Sequence, residues 1–442
     1  MKSNANCYDE LRAYVDALPV IDCHDHAGVL EKPVDVLSHL GDAYFDSDIM
    51  SATSDADLKV IMDKNLSLEK RWPVFERAWR RTRFTGYGKA TALAMERFFG
   101  EKEVTLASLK RMQKKIPDFS DPRVYYGIYD EARIVARIAD THPSLIEVMK
   151  GTFKGLKGQR VAVSLPSLHF LKSRADITGV EEALGRTATS LDEYAAACRE
   201  IFAAHKKIGA VTFKDQSAYM RSLAYSNPAR AEAEAIFNRM IADPRYCAEY
   251  NPYSNPLSDY LMHEFMRAAR DLDLPVQIHT GHMAGIRNDV ARTNAAGLRS
   301  LVEMHRDVRF DLFHGNWPYS GDLLFLVKNY PNVAMDMCWV HIIDPLYSRD
   351  LLMQAVSCVP HGKIHGFGSD VGGGTPDIAW AHCMMARDNI ATALAELVDI
   401  DYIGVDDAKE IAADWLFNNP NEFFRLGLKM GDCTTSTAKR SR

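Results

Sequence analysis

The 442-residue sequence predicts an α/β protein: a distorted (β/α)8 TIM barrel with a helical insertion after the first strand. Three observations carry this expectation. Short β-branched apolar runs alternate with helix-spaced segments, giving about eight strand–helix units, the pattern of a parallel sheet. Polar residues of the metal-binding and acid–base types stand just after several of these runs, at His24, His26, Lys214, His279, His314 and Asp370. No Gly-x-Gly-x-x-Gly follows any strand, which removes the main support for an open dinucleotide-binding sheet. With eight units, the closed barrel is favoured over an open doubly wound sheet.

The elements follow in order. Tyr8 to Leu18 predicts a short helix leading into the first strand, which Val20 and Ile21 open with β-branched apolar side chains. From Leu30 to about Arg123 the texture is helical, with Leu58, Ile61, Met62 and Leu66, then Leu93, Met95, Phe98 and Phe99, at helical spacing. This stretch reads as an insertion that caps the barrel or covers its mouth. Its Trp72–Arg83 cluster is best explained as a solvated helix face. Strands are expected at 132–139, 161–165, 210–213, 274–278, 308–313, 333–337 and 364–367. Helices are expected at 191–205, 229–242, 259–271, 295–305, 319–329, 349–356, 380–398 and 408–417. Gly372-Gly373-Gly374 lacks the Lys-Ser/Thr of a phosphate loop and reads as a flexible turn near the site. No low-complexity linker divides the chain, so residues 1–442 are expected to form one domain with the insertion at about 30–123.

Composition bounds the function. The chain is 47% hydrophobic and 25% charged with a net charge of -6, as a globular protein is, and no basic stripe suggests nucleic acid. No apolar run reaches membrane-spanning length and no signal-type segment opens the sequence. The eight cysteines are scattered without a Cys-x-x-Cys pair, which suits free thiols and a cytoplasmic setting. The basic stretch at 434–442 reads as a frayed tail. A small-molecule substrate is expected, without nucleic acid or membrane, and a homo-oligomer is compatible with the sequence.

The chemistry is concentrated at strand ends. In Pro-Val-Ile-Asp-Cys-His-Asp-His (19–26), His24 and His26 are two apart and point to one side of an extended chain, where two imidazoles can hold a divalent ion. Cys23 points the other way and reads as core. His279 lies in Pro-Val-Gln-Ile-His-Thr-Gly-His, His314 in Phe-Asp-Leu-Phe-His-Gly-Asn-Trp, and Asp370 in His-Gly-Phe-Gly-Ser-Asp-Val-Gly. In a barrel the strand C-termini converge at one face, so these residues would meet. Each alone has a bland explanation, as a hydrogen-bonded histidine or a helix cap; their joint arrangement argues for metal. Lys214, Tyr219 and Arg221 follow the fourth strand and could face an acidic substrate. His282 either touches substrate or stabilises its loop. Trp317, Trp339 and His341 either line the pocket or pack, and packing is the simpler role for the two tryptophans.

The order His-x-His after strand one, His after strands five and six, and Asp after strand eight resembles the amidohydrolase superfamily, in wording closest to its amidohydrolase-related branch. The resemblance runs from about Pro19 to Phe424; uronate isomerase is a more distant relative, whose strand-eight wording differs from Gly-Ser-Asp-Val-Gly-Gly. It implies a metal-dependent enzyme in which His24, His26, His279 and Asp370 bind the ion and His314 sits beside the bound water or substrate. Asp370 and His314 are then the catalytic pair. Lys214 matches the strand-four place where some members carry a carboxylated lysine between two ions, and is otherwise a substrate contact. Zn²⁺ is the expected ion, with Mn²⁺ as the alternative, and one ion is favoured over two. The leading expectation is hydrolysis of a C–N or C–O bond (amide, lactam, lactone or ester) in a small polar or acidic substrate. Non-oxidative decarboxylation or sugar-acid isomerisation on the same site is the alternative.

Overall fold

A computed structural model describes residues 5–28, 30–41, 44–249, 251–371 and 375–433. The triple-glycine turn at 372–374 and the basic tail at 434–442 lie outside the described residues. Eight strands form one sheet in sequence order: β1 (Val20–Asp25), β2 (Ile134–Ala139), β3 (Gln159–Ser164), β4 (Ala210–Asp215), β5 (Val276–Ile278), β6 (Phe310–Leu312), β7 (Val333–Asp336) and β8 (Ile364–His365). Neighbours pair in parallel from β1 through β8. The last seam closes beyond β8. Cys23 N–H donates to the Phe367 carbonyl at 3.0 Å, Asp370 N–H to the His24 carbonyl at 2.8 Å, and His26 N–H to the Val371 carbonyl at 3.1 Å. The barrel is therefore sealed by the segment that carries Asp370, lying directly against the segment that carries His24 and His26.

The strands form where the sequence places short apolar runs, most of them with β-branched residues, and the crossovers between them are long enough for helices, as parallel pairing requires. Deep in the barrel, Cys23 packs with Ile138, Ala162 and Phe424, and Ile21 with Ala136 and Phe417, so aromatic residues of the C-terminal segment plug the closed end. The same interior holds a polar pair, His365 Nδ1 and Asp311 Oδ1 at 2.9 Å, with Gln277 bridging Asp311 and the Cys23 carbonyl. The larger apolar core lies between strands and helices and continues into the insertion through Phe45, Phe75, Trp79 and Tyr87.

Among the described residues the elements of the insertion are all helices, from Val36–Gly41 to Pro122–Glu131. Gly86 anchors it over the mouth: a Cβ there would collide with the Ile342 carbonyl, in the short helix Val340–Ile343 after β7. Arg77, Arg80, Arg81 and Arg83 are exposed, as a solvated face requires, whereas Arg71 is buried against Asp35, 2.6 Å away. The helix expected at 295–305 is split into a 3₁₀ turn, Ala295–Leu298, and an α-helix, Arg299–Met304. Gly297 in that turn lies against the backbone of Leu223 and Ala224, and this close approach accompanies the tighter winding. No helix of the described residues is long and apolar enough to cross a membrane.

Candidate active site

His24 lies on β1 and His26 just beyond it. Asp22 splints them to the far side of the seam, because its Oδ1 accepts the backbone N–H of both His24 (3.2 Å) and Ser369 (2.9 Å). Asp370 follows in the left-handed region, at φ 52, which turns its carboxylate inward. Its Oδ1 ends 3.1 Å from His26 Nε2 and 3.6 Å from His24 Nε2, and the two imidazole nitrogens are 3.1 Å apart. One donor atom from each of the three residues lies within 4.8 Å of the others. His24 and Asp370 are buried, while His26 keeps a third of its side chain open towards the mouth.

Proton positions follow from the acceptors around the rings. His26 Nδ1 lies 3.1 Å from the Asp140 carbonyl, which can only accept, so that nitrogen carries a proton and Nε2 is the one directed at the cluster. Burial pulls the His26 pKa down, but the hydrogen bond to Asp370 and the charges of Asp370 and Asp140 outweigh it and hold it at about 9. Burial and the neighbouring Lys214 hold His24 well below the usual histidine range. Burial pushes Asp370 up, but the hydrogen bond to His26 and the positive charges around it, His26 and Lys214 among them, leave its carboxyl below the usual range. Two facing imidazole nitrogens and an ionised carboxylate suit a borderline divalent cation taking the place of the His26 proton.

The second half of the site comes from β5 and β6. His279 Nε2 donates to the His282 carbonyl at 2.7 Å, and His314 Nδ1 donates to the Cys338 carbonyl at 2.9 Å. The remaining nitrogens, His279 Nδ1 and His314 Nε2, face each other at 3.1 Å. Burial lowers both pKa values, that of His314 to about 4, so both rings are neutral. His314 Nε2 lies 3.7 Å from Asp370 Oδ2, the carboxylate oxygen turned away from His26. His24, His26 and Asp370 therefore form the compact three-donor group. His314 approaches Asp370 from the other side, and His279 stands one ring further out, held there by its bond to its own loop.

Lys214 is buried with Nζ 3.7 Å from the centre of the Phe313 ring; burial lowers its pKa against the opposing pull of the Asp370, Asp140 and Asp215 carboxylates. Tyr219 is 41% exposed, which puts it at the mouth, with its ring 4.9 Å from that of His279. His282 packs edge-on to Trp317 at 5.4 Å and tilted against Trp339 at 5.1 Å. Trp339 is buried between the insertion and the site, 4.4 Å from the Tyr44 ring, 6.2 Å from Tyr87 and 5.1 Å from His314. Trp317 is half-buried and its indole N–H points at Asp344, 3.4 Å away.

Arg221 does not join this group. Its guanidinium is fully buried in an ion pair with Asp259 and also donates to Ser258 Oγ and the carbonyl of Ser222, so its charge is already satisfied within the fold. His341 is likewise structural, buried with Nε2 donating to the Gly366 carbonyl at 2.9 Å. Three residues near the centre go beyond those expected from sequence. Tyr44 Oη lies 3.5 Å from Asp370 Oδ1, Tyr87 backs Trp339, and Cys338 groups with His314 and Asp370. Cys338 stands two residues after β7, so the strand-end rule that marks the histidines also marks it; Tyr44 and Tyr87 sit in the insertion with no such signal.

Residues 174–426 match the amidohydrolase family. The chain belongs to this family. Like the protein fluG of Emericella nidulans, it carries a related segment, 28% identical over 206 residues, which is 45% of this chain and 22% of that protein. The chain thus matches about a fifth of the length of that curated relative. In fold, the chain is similar to uronate isomerase from Thermotoga maritima (TM-score 0.75, 14% identity, 95% of this chain and 97% of that one). It is similar to glucuronate isomerase from Caulobacter crescentus (0.74, 19%, 97% and 96%). It also matches a protein from Lactobacillus casei described as a candidate metal-dependent hydrolase (0.65, 17%, 94% and 98%). The family is metal-dependent, and the His24–His26–Asp370 group of this chain fits a divalent ion by donor type and proximity.

Proposed function

We propose that this amidohydrolase is a hydrolase that uses a divalent ion, Zn²⁺ before Mn²⁺, to add water across a C–N or C–O bond of a small polar or acidic substrate. The observation that carries this is the carboxylate of Asp370, with one oxygen against His24 and His26 and the other against His314. His24, His26 and Asp370 would hold the primary ion. When bound, the ion supplies Lewis acidity to a water or a substrate carbonyl. Asp370 is placed to take the proton of the attacking water and return it to the leaving nitrogen or oxygen. His314, neutral and oriented by the Cys338 carbonyl, is directed at the reacting centre through Nε2 and stabilises charge developing there. Lys214 needs no carboxylation for its part: a buried ammonium next to the site attracts an acidic substrate group more strongly than it would in water. Tyr219, His282 and the tryptophan wall of Trp317 and Trp339 shape the opening.

A second reading, aldose–ketose isomerisation of a sugar acid, is favoured by the similarity in fold to uronate and glucuronate isomerases over nearly the whole chain. The two separate in isotope experiments. A panel of lactones, amides and esters and a panel of uronates are turned over in H₂¹⁸O and in D₂O. Hydrolysis places one ¹⁸O atom in the acid product. Isomerisation places none there and introduces deuterium from solvent at carbon. Turnover of uronates alone, without ¹⁸O in the carboxylate of the product, would replace the first reading by the second.

A further inference from the structure

A cleft of about 870 Å³ opens where the insertion meets the barrel, between the helices Gly86–Ala94, Pro345–Cys358 and Pro376–Asp399. None of His24, His26, His279, His314 and Asp370 lines it, so it is separate from the candidate active site. Its floor is apolar, made by Leu93, Trp380, Met384 and Met385. Methionine side chains are flexible and polarisable and adapt to the shape of an apolar guest. Phe84 and Leu346, which also line the cleft, stand 68% and 69% exposed. Large apolar side chains left in water beside an apolar hollow gain free energy when a guest covers them.

The charges around the cleft are unevenly matched. Asp388 takes both Arg12 at 3.1 Å and Arg349 at 2.8 Å, and Arg12 also holds Asp16. Asp344 is engaged through both oxygens, by the Tyr347 N–H and the Trp317 indole N–H. Around Phe84 two cations remain. Lys89 Nζ lies 5.5 Å and the Arg83 guanidinium carbon 4.6 Å from the centre of the Phe84 ring, and neither meets a carboxylate among the described residues. The cleft therefore offers an apolar bed and, beside it, positive charge without a counter-ion. Its size and lining are those of small-molecule sites, which favour the seams between structural units.

We propose that this cleft binds a small organic acid with an apolar body, an aryl or medium-chain carboxylate, whose body lies on Trp380 and the two methionines and whose carboxylate meets Lys89 and Arg83. The proposal stands apart from the reaction catalysed at the strand ends. A hollow of this volume encloses the body of a free acid, which a flat bilayer surface does not enter. A guest there touches the insertion and two barrel helices at once. It thereby steadies the cap whose Tyr44 and Tyr87 reach the site. Because it binds the folded chain alone, it raises the unfolding temperature.

The test uses the full chain, with 8-anilinonaphthalene-1-sulfonate as a fluorescent probe (an aromatic body with one anionic group) and octanoate as competitor. The native chain should bind one probe, octanoate should displace it, and added salt should weaken both. Octanol, without the charge, should compete roughly fivefold less well. Lys89→Glu and Arg83→Glu change exposed side chains, so folding is not at stake. Each should weaken the probe and octanoate by roughly tenfold, one attraction being lost and a repulsion gained. Met384→Trp, which fills the floor, should abolish binding, and octanoate should raise the unfolding temperature of the native chain but not of this variant. Absence of binding at millimolar probe, affinity unchanged in both charge variants, or octanol competing as well as octanoate would overturn the proposal. So would recruitment only to phosphatidylserine vesicles, which would make this face a membrane contact.

Discussion

Gly281, between His279 and His282, offers a way to disturb the β5–β6 half of the site without touching the His24–His26–Asp370 group. Its φ is +69, and a Cβ would lie 2.5 Å from the Trp317 carbonyl oxygen and 2.6 Å from Asn316 C and Trp317 N. Those atoms are backbone and cannot swing aside, so the two loops must part by roughly 0.9 Å to reach ordinary contact at 3.4 Å. In Gly281→Ala the left-handed backbone costs about 1–2 kcal/mol. Overpacking adds about 1–3 kcal/mol, so a loss of roughly 2–5 kcal/mol is expected in urea unfolding. The loops that part carry His279 and His314, whose ring centres are 4.3 Å apart. A misplacement near 1 Å at a reacting centre lowers turnover by about 100-fold. The ion held by His24, His26 and Asp370 should remain. Unfolding within about 0.5 kcal/mol of the native chain, together with native turnover, would refute the claim that close backbone contact between these loops sets the site.

Four other outcomes are expected. Asp370→Asn and His26→Asn should each lose the primary ion in metal analysis and lower turnover by about 10³-fold or more; an inactive variant with full metal content would speak against their role as ligands. His314→Asn should keep the primary ion while kcat falls by about 10²–10⁴-fold; if all bound metal disappears in step with activity, His314 belongs to the primary site. Lys214→Ala should keep the primary ion and raise KM about tenfold for an acidic substrate, equal to about 1.4 kcal/mol of binding; loss of an ion that added short carboxylates restore would instead identify a carboxylated bridge. In the metal-free chain the His26 proton, held up to about 9, must leave before an ion binds. Zn²⁺ affinity measured against a competing chelator should therefore climb about tenfold per pH unit from neutrality towards that value, and a flat profile would contradict the proton–ion exchange.

The barrel is readable in the sequence because buried parallel strands must be short apolar runs, and because several runs end at a polar residue of the metal-binding or acid–base type. That rule locates His24, His26, Lys214, His279, His314 and Asp370, and it holds even for Asp370, five residues past the two-residue β8, because the seam to β1 continues the sheet by backbone bonds alone. What it does not supply is partnership. Arg221 has the charge to meet an acidic substrate, but its counter-ion Asp259 is 38 residues away on a helix and becomes its neighbour only in the fold. The division of labour between His279 and His314 is set by two backbone carbonyls, of His282 and Cys338, and a carbonyl is present at every position whatever the side chain. Tyr44 reaches Asp370 from an insertion whose pattern specifies helices packed on one another and says nothing of which tip overhangs the mouth. Cys338 is the converse case. Eight scattered cysteines without a pairing pattern single out none of them, yet Cys338 follows β7 as the histidines follow their strands and lies beside His314 and Asp370. Position on the barrel rim is therefore a stronger guide to a metal-type side chain than spacing along the chain, since the rim brings the ends of all eight strands together while the spacing records only the length of the crossovers between them.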